Sequence, residues 1–241
     1  MLIASPRHTV ADLAHWRRME GLDRAYLRSC RPALDRRVAE STAEIAAFAA
    51  AGPCYVGTSW GKDSIVVAHL ATALDLPLVC VWCQPIQNPD CAAVRDAYLG
   101  AFPATRYDEI EVWCRRSETD WHATGTMEEG FAIAAGRHGG RYISGIRAEE
   151  SPTRALRVRS YGLSTARACA PIGWWSAAEV FAYLALHDLP IHPAYACSLA
   201  GTIDRGRLRV SSLGGRRGMG RGRAEWERRY YGAEMRALSR M

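Results

Sequence analysis

At 241 residues, 49% hydrophobic and 23% charged, the chain has an ordinary globular composition and is long enough to bury a sizeable core. No apolar run approaches the roughly 20 residues that cross a bilayer. The opening MLIASPRHTVADLAHWRRME turns polar too soon for a signal peptide, so a cytoplasmic protein with no membrane partner is expected. The net charge of +6 is uneven: residues 205–241 carry eleven Arg against Glu225, Glu227 and Glu234, a local charge of about +8 that leaves the rest near −2.

Residues 7–51 read as helical, most clearly in the Ala-rich RRVAESTAEIAAFAAA. An alternation follows. CYVGTS predicts a strand, DSIVVAHLATAL an amphipathic helix, and LPLVCVW a buried strand. NPDCAAVRDAYLGAF predicts a helix with Asn88 as cap and Pro89 at its first position. RYDEIEVW is a strand, TMEEGFAIAAGRHG a helix and RYISGI a strand. SAAEVFAYLALHDL is a helix opened by Ser176 with Glu179 three residues on, a capping box. Continuous apolar strands alternating with helices predict an α/β fold: a parallel, doubly wound, Rossmann-like sheet with helices on both faces. Three parts are expected. These are an N-terminal helical segment (1–51), a nucleotide-binding α/β domain (52–200) and a basic Gly/Arg-rich tail ending in a short helix (201–241).

Eight cysteines are scattered along the chain, and without an export signal they read as thiols rather than disulfides. Cys80 and Cys83 form C-x-x-C, but on a strand their side chains point to opposite faces. They are expected to pack, with Cys83, at the strand's end, the less settled of the two.

In CYVGTSWGKDSIVVAHL, a strand, a Gly-flanked loop and a helix start make an anion site, because free N–H groups and the helix dipole favour phosphate. Ser59, Trp60, Gly61, Lys62, Asp63 and Ser64 are its candidate residues. A Walker A loop would need Gly at 56 and Ser or Thr at 63, where this chain has Val56 and Asp63. Lys62 is the only lysine among 31 basic residues, which suggests a site wanting a compact point charge. A second candidate, SGIRAEESPTR, follows the RYISG strand. Arg147 and Arg154 supply fork-shaped donors for phosphate or sulfate oxygens, and Glu149 and Glu150 could hold Mg²⁺ or orient those arginines.

SWGKDS resembles the S-x-G-x-D-S loop of the adenine-nucleotide α-hydrolase (PP-loop ATP pyrophosphatase) superfamily, in the form found in the phosphoadenosine-phosphosulfate (PAPS) reductase-like family. SGIRAEESPTR is similar to that family's G-x-R-x-x-E-S-x-x-R segment. APIGWWSAAEVFAYLALHDLPIHPAY is similar to its helix-and-turn block, where Trp175, Tyr183 and Tyr195 read as packing residues. The resemblance spans residues 54–196. It implies ATP or a PAPS-like adenine nucleotide bound by Ser59–Ser64, Gly145, Arg147, Glu150 and Ser151. Lys62, Asp63, Arg147 and Arg154 would be catalytic, with Mg²⁺ held by Asp63. The implied chemistry is cleavage between the α- and β-phosphates, giving an adenylylated acceptor and pyrophosphate in sulfur transfer or nucleic-acid modification.

The chain also departs from that pattern. No C-terminal Glu-Cys-Gly-x-His motif is present, the last cysteine being Cys197, and no cysteine pairs of an iron–sulfur cluster occur, so no such cluster is expected. Sulfonucleotide reduction would need Cys197 as a substitute thiolate. Where relatives carry a DTG-like turn, this chain has WCQPIQNPDC, with Gln84, Asn88 and Asp90 as polar candidates. A third reading takes the domain as a scaffold whose tail binds nucleic acid through its arginines and through stacking on Trp226, Tyr230 and Tyr231. The acceptor, a nucleic acid or a small sulfur compound, and any homo-oligomer are left open.

Overall fold

A computed structural model describes residues 1–114, 125–199, 201–214 and 222–240. Five strands form one sheet in the order β3-β2-β1-β4-β5, every pairing parallel. They are β1 (Tyr55–Thr58), β2 (Leu78–Gln84), β3 (Tyr107–Trp113), β4 (Tyr142–Ile143) and β5 (Ala168–Cys169). The chain builds outward from β1 to β3 and then returns to the other side of β1. The order therefore reverses between β1 and β4, where open α/β sheets leave a crevice at the strand C-termini.

Alternate strand residues divide the core in two, as the period of a strand requires. Val56, Leu78, Cys80, Trp82, Ile143 and Cys169 face one cluster, covered by α1 (Val10–Ala50), α2 (Lys62–Leu70), α3 (Cys91–Ala101) and, outside α2, by α6 (Ala177–Leu186). Tyr55, Val79, Cys83, Ile110 and Val112 face a smaller cluster under α4 (Gly125–His138). Cys80 and Cys83 accordingly lie on opposite faces, as their spacing predicts. None of the described helices is long and apolar enough to cross a membrane.

Local chemistry explains most boundaries. Thr9 and Asp12 form a capping box at the start of α1, and the helix bends at Cys30 (φ −115°, ψ 15°), just ahead of Pro32, whose ring and missing N–H break the i→i−4 ladder. Ser176 and Glu179 form the expected capping box on α6. One expectation is corrected. The helix after β2 begins at Cys91, not at Pro89, because Asn88 spends its side chain on a turn, accepting from the Asp90 amide at 3.0 Å. The Asn88 amide meanwhile donates to the Ser211 carbonyl at 2.9 Å. That bond, the Gln87–Ser212 bridge and the bond from the Leu213 amide to the Ile86 carbonyl (2.8 Å) dock the C-terminal segment onto the sheet's end.

Several residues of the C-terminal segment are thus part of the core. Trp226, Tyr230 and Tyr231, on and after α7 (Arg223–Tyr230), are all buried. Trp226 Nε1 donates to the Cys197 carbonyl at 2.6 Å, and Tyr230 Oη to Asp12 at 2.8 Å. Internal partners take up two arginines of the segment: Arg205 pairs with Asp23 at 2.5 Å, and Arg223 with Glu227 at 2.9 Å and with the Arg209 and Ser212 carbonyls. The aromatic rings read as base-stacking platforms are core residues instead. The Gly/Arg stretch 215–221 lies outside the described residues.

One buried histidine, His192, and one half-buried, His69, make stability depend on pH. Burial, then the like charge of His187, pushes His69 down to about 4, and burial, then Arg7, pushes His192 down to about 3. Both start from an ordinary value of 6.5. Between those values the unfolded chain binds more protons than the folded one, so stability is full above about 6.5 and falls as pH drops toward 4. Urea denaturation across that range should show the decline, with a shallower slope in His69→Phe; equal slopes would contradict it.

Candidate functional site

A cavity of about 620 Å³ opens at the reversal between β1 and β4. Its floor is the turn from β1 into α2. Thr58 Oγ1 accepts from the Trp60 amide at 3.3 Å, Ser64 Oγ accepts from the Ser59 amide at 3.2 Å, and Ser64 Oγ donates to the Gly61 carbonyl at 2.9 Å. The turn is thereby closed on itself. Trp60 takes a left-handed conformation (φ 59°), uncommon for a bulky side chain, and its ring is fully buried against Tyr98 and Tyr107. Gly61 is the N-cap of α2 with no side-chain cap. The Lys62 amide donates to Tyr195 Oη at 3.0 Å, whereas the amides of Asp63 and Ser64, next in the helix, have no preceding carbonyl of the helix to meet.

Gly145, two residues beyond β4, lies against this turn. A Cβ there would stand 2.7 Å from the Asp63 carbonyl carbon and 2.8 Å from the Ser64 nitrogen, closer than real side chains come. Only glycine lets the two loops meet. The neighbouring Ser144 Oγ is buried without a hydrogen-bond partner among the described residues, and its residue lines the cavity.

Behind the floor runs a charge network. Asp63 accepts from Lys62 Nζ at 2.7 Å through Oδ2 and from Arg147 Nε at 2.6 Å through Oδ1. Arg147, wholly buried, also reaches Glu149 at 2.6 Å and the carbonyls of Trp175 at 3.3 Å and Gly206 at 3.1 Å. Burial works against its charge, but Asp63 and Glu149 outweigh burial and hold its pKa above the ordinary arginine value. Glu150 accepts from the Arg147 amide at 2.9 Å and pairs with Arg154. Ser151 caps α5 (Pro152–Tyr161), accepting from the Arg154 amide at 3.3 Å. Tyr195, buried under the loop, has its phenol pKa raised by burial first and by Asp63 second.

The structure therefore divides the residues singled out from sequence. Ser59, Gly61, Asp63, Ser64, Gly145, Glu150 and Arg154 line the cavity. Lys62, Arg147, Trp60 and Ser151 do not: the first two sit behind the floor on Asp63, Trp60 is in the core and Ser151 caps a helix. The guanidinium of Arg147, expected to grip an anion, is committed to protein partners. Sequence reasoning missed Ser144 and Arg209. Arg209 lines the cavity and has no ion pair among the described residues; burial, then the like charge of Arg154, lowers its pKa. Its only signal in the sequence was a place in an Arg-rich segment read as a tail.

The opposite wall is apolar, built from Val79, Val81, Ile86, Met127 and Phe131. Cys197 is buried, and burial pushes its thiol up to about 12, so it is not the accessible thiolate a reductase would need. The donors also do not fit a Mg²⁺ site. Both Asp63 oxygens already take cationic donors, and no group of three His, Cys, Asp or Glu side chains able to hold a metal converges among the described residues.

No known family model matches the chain, and no curated protein matches it. Among solved structures it is similar to the crystal structure of phosphoadenylyl-sulfate (PAPS) reductase from Candida auris in its phosphate complex. The TM-score is 0.48 at 14% identity, over 66% of this chain and 87% of that one.

The Gly145 contact gives a direct check. Gly145→Ala should lower stability by about 1–3 kcal/mol in urea denaturation, because backbone rather than a flexible side chain must yield. An unchanged midpoint would contradict the packing.

Proposed function

We propose that this cavity binds an adenine nucleotide, ATP or a PAPS-like relative, and that the chain is an enzyme activating the α-phosphate for transfer to an acceptor with release of pyrophosphate. One observation carries the reading. Donors without partners among the described residues, namely the first-turn amides of Asp63 and Ser64 and the Ser144 hydroxyl, converge on one end of a cavity whose other wall is apolar. Amides at a helix N-terminus and a nearby hydroxyl suit phosphate oxygens. The apolar wall suits a planar base.

In this scheme the acceptor's nucleophile attacks the α-phosphorus, and the bond to the bridging oxygen breaks with the electron pair leaving on pyrophosphate. Such a substitution is catalysed mainly by positioning and charge neutralisation. The Asp63 and Ser64 amides hold the leaving phosphates. Lys62, Arg147 and Arg154 balance Asp63, Glu149 and Glu150, so Arg209 is a cation of the cavity lining without an ion pair among the described residues, as is Arg167. Arg209 favours extra negative charge there, on the α-phosphate or on the acceptor. Lys62 and Arg147 act from behind, keeping Asp63 and with it the helix start in place. Mg²⁺ accompanying ATP would bring its own charge neutralisation, but the side chains described do not form a site for it, and no step is assigned to it. A nucleic acid or a small sulfur compound remains the acceptor class.

Isothermal titration with ATP and with its α,β-methylene analogue should both show sub-millimolar binding at one site. Ser144→Ala should weaken it roughly three- to tenfold, the loss of about one hydrogen bond, and Arg209→Ala should weaken it more at low salt than at high salt. Absence of binding by either nucleotide at millimolar concentration would overturn the proposal.

A further inference from the structure

Cys83 lies near the end of β2 opposite Val112 of β3, and Cys114 follows two residues later, its amide donating to the Gln84 carbonyl at 2.7 Å. Period-two geometry puts both side chains on the same face, and both are buried in the smaller cluster. Their Sγ atoms are 2.8 Å apart. The two sulfurs are in direct contact, either able to donate to the other, so a thiolate on one has the other beside it. Cys83 is also the only one of the eight cysteines that lines the cavity. Cys80, three residues earlier, faces the opposite cluster and has no such access.

We propose that Cys83 and Cys114 form a thiol–disulfide exchange site whose oxidant is a low-molecular-weight disulfide entering through the cavity. The Cys83 thiolate attacks one sulfur of the small disulfide, giving a mixed disulfide and releasing one small thiol. The Cys114 thiolate then attacks Cys83 Sγ, forming the intramolecular bond and releasing the second thiol. Two protein thiols and one small disulfide become one protein disulfide and two small thiols, two electrons passing to the small molecule. A small dithiol reverses the reaction.

The bond ties the ends of β2 and β3 together beside residues 86–88, the loop that pairs with Ser211, Ser212 and Leu213 at the cavity rim. It closes a loop through residues 84–113, so the oxidised chain resists unfolding more than the reduced one. The inference stands on the position of the two thiols and does not depend on which ligand fills the cavity.

The test equilibrates the full-length reduced chain in mixtures of reduced and oxidised glutathione, blocks remaining thiols with iodoacetamide and maps the peptides by mass spectrometry. The expected result is a Cys83–Cys114 cross-linked peptide pair, lighter by two hydrogens, lost on adding dithiothreitol. The oxidised chain should melt several degrees higher. Cys114→Ser should trap glutathione on Cys83, whereas Cys83→Ser should leave Cys114 unmodified in the same mixture. Separate iodoacetamide labelling of both cysteines in every mixture, or a glutathione adduct on Cys83 in the unmutated chain that never resolves to the cross-link, would overturn the proposal.

Discussion

The Asp63 carboxylate, held between Lys62 and Arg147, is the interaction on which the site depends. Lys62 and Arg147 are almost wholly out of water and Asp63 nearly so, with side-chain exposures of 2%, 0% and 14%. Removing charges from water costs several kcal/mol per ion unless each finds a partner. Here each does, through a chain that runs on to Glu149, Glu150 and Arg154. The consequence is positional. Asp63 is the second residue of α2, and Arg147 comes from the loop after β4, so the ion pair ties together the two chain segments that flank the crevice. Arg147 also reaches the Gly206 carbonyl, which brings the C-terminal segment into the same arrangement.

This tie explains why the cavity has its shape. Gly145 can approach the α2 turn only because it lacks a side chain, and the turn is in place because Ser64, Thr58 and Tyr195 fix its backbone. The larger cluster supports the floor from one side of the sheet. On the other side, α4 covers β2 and β3 with few buried residues, and the apolar wall of the cavity continues that cluster. A rigid polar floor and an apolar wall that is open to a ligand are thus products of the same unequal division of the core.

Much of the fold was legible in the sequence. Alternating apolar runs gave the parallel sheet, and the Ser176–Glu179 spacing gave the start of α6. Two-residue β5 left no pattern to read, and the start of α3 shifted because Asn88 met a segment 120 or more positions away, a tertiary effect. The loop SWGKDS and the SGIRAEESPTR block were visible, and the structure brings them into contact. What the sequence could not separate was the direction in which each cation points. An arginine behind a loop and one in front of it look alike in a string, so the sequence points to Arg147 as a ligand-binding residue and to Arg209 as part of a tail. The lone lysine likewise marks the turn at the cavity floor, yet its ammonium sits on Asp63 and over the Tyr195 ring rather than on the cavity wall.

The central claim is that the α2 turn, braced from behind by Arg147, is a polyphosphate site. A crystal structure of the chain soaked with ATP tests it most directly. The account predicts phosphate density against the Asp63 and Ser64 amides and Ser144 Oγ, the base against Val79 and Val81, and the Arg147–Asp63 pair intact. ATP bound elsewhere, or an empty cavity at saturating nucleotide, would contradict it.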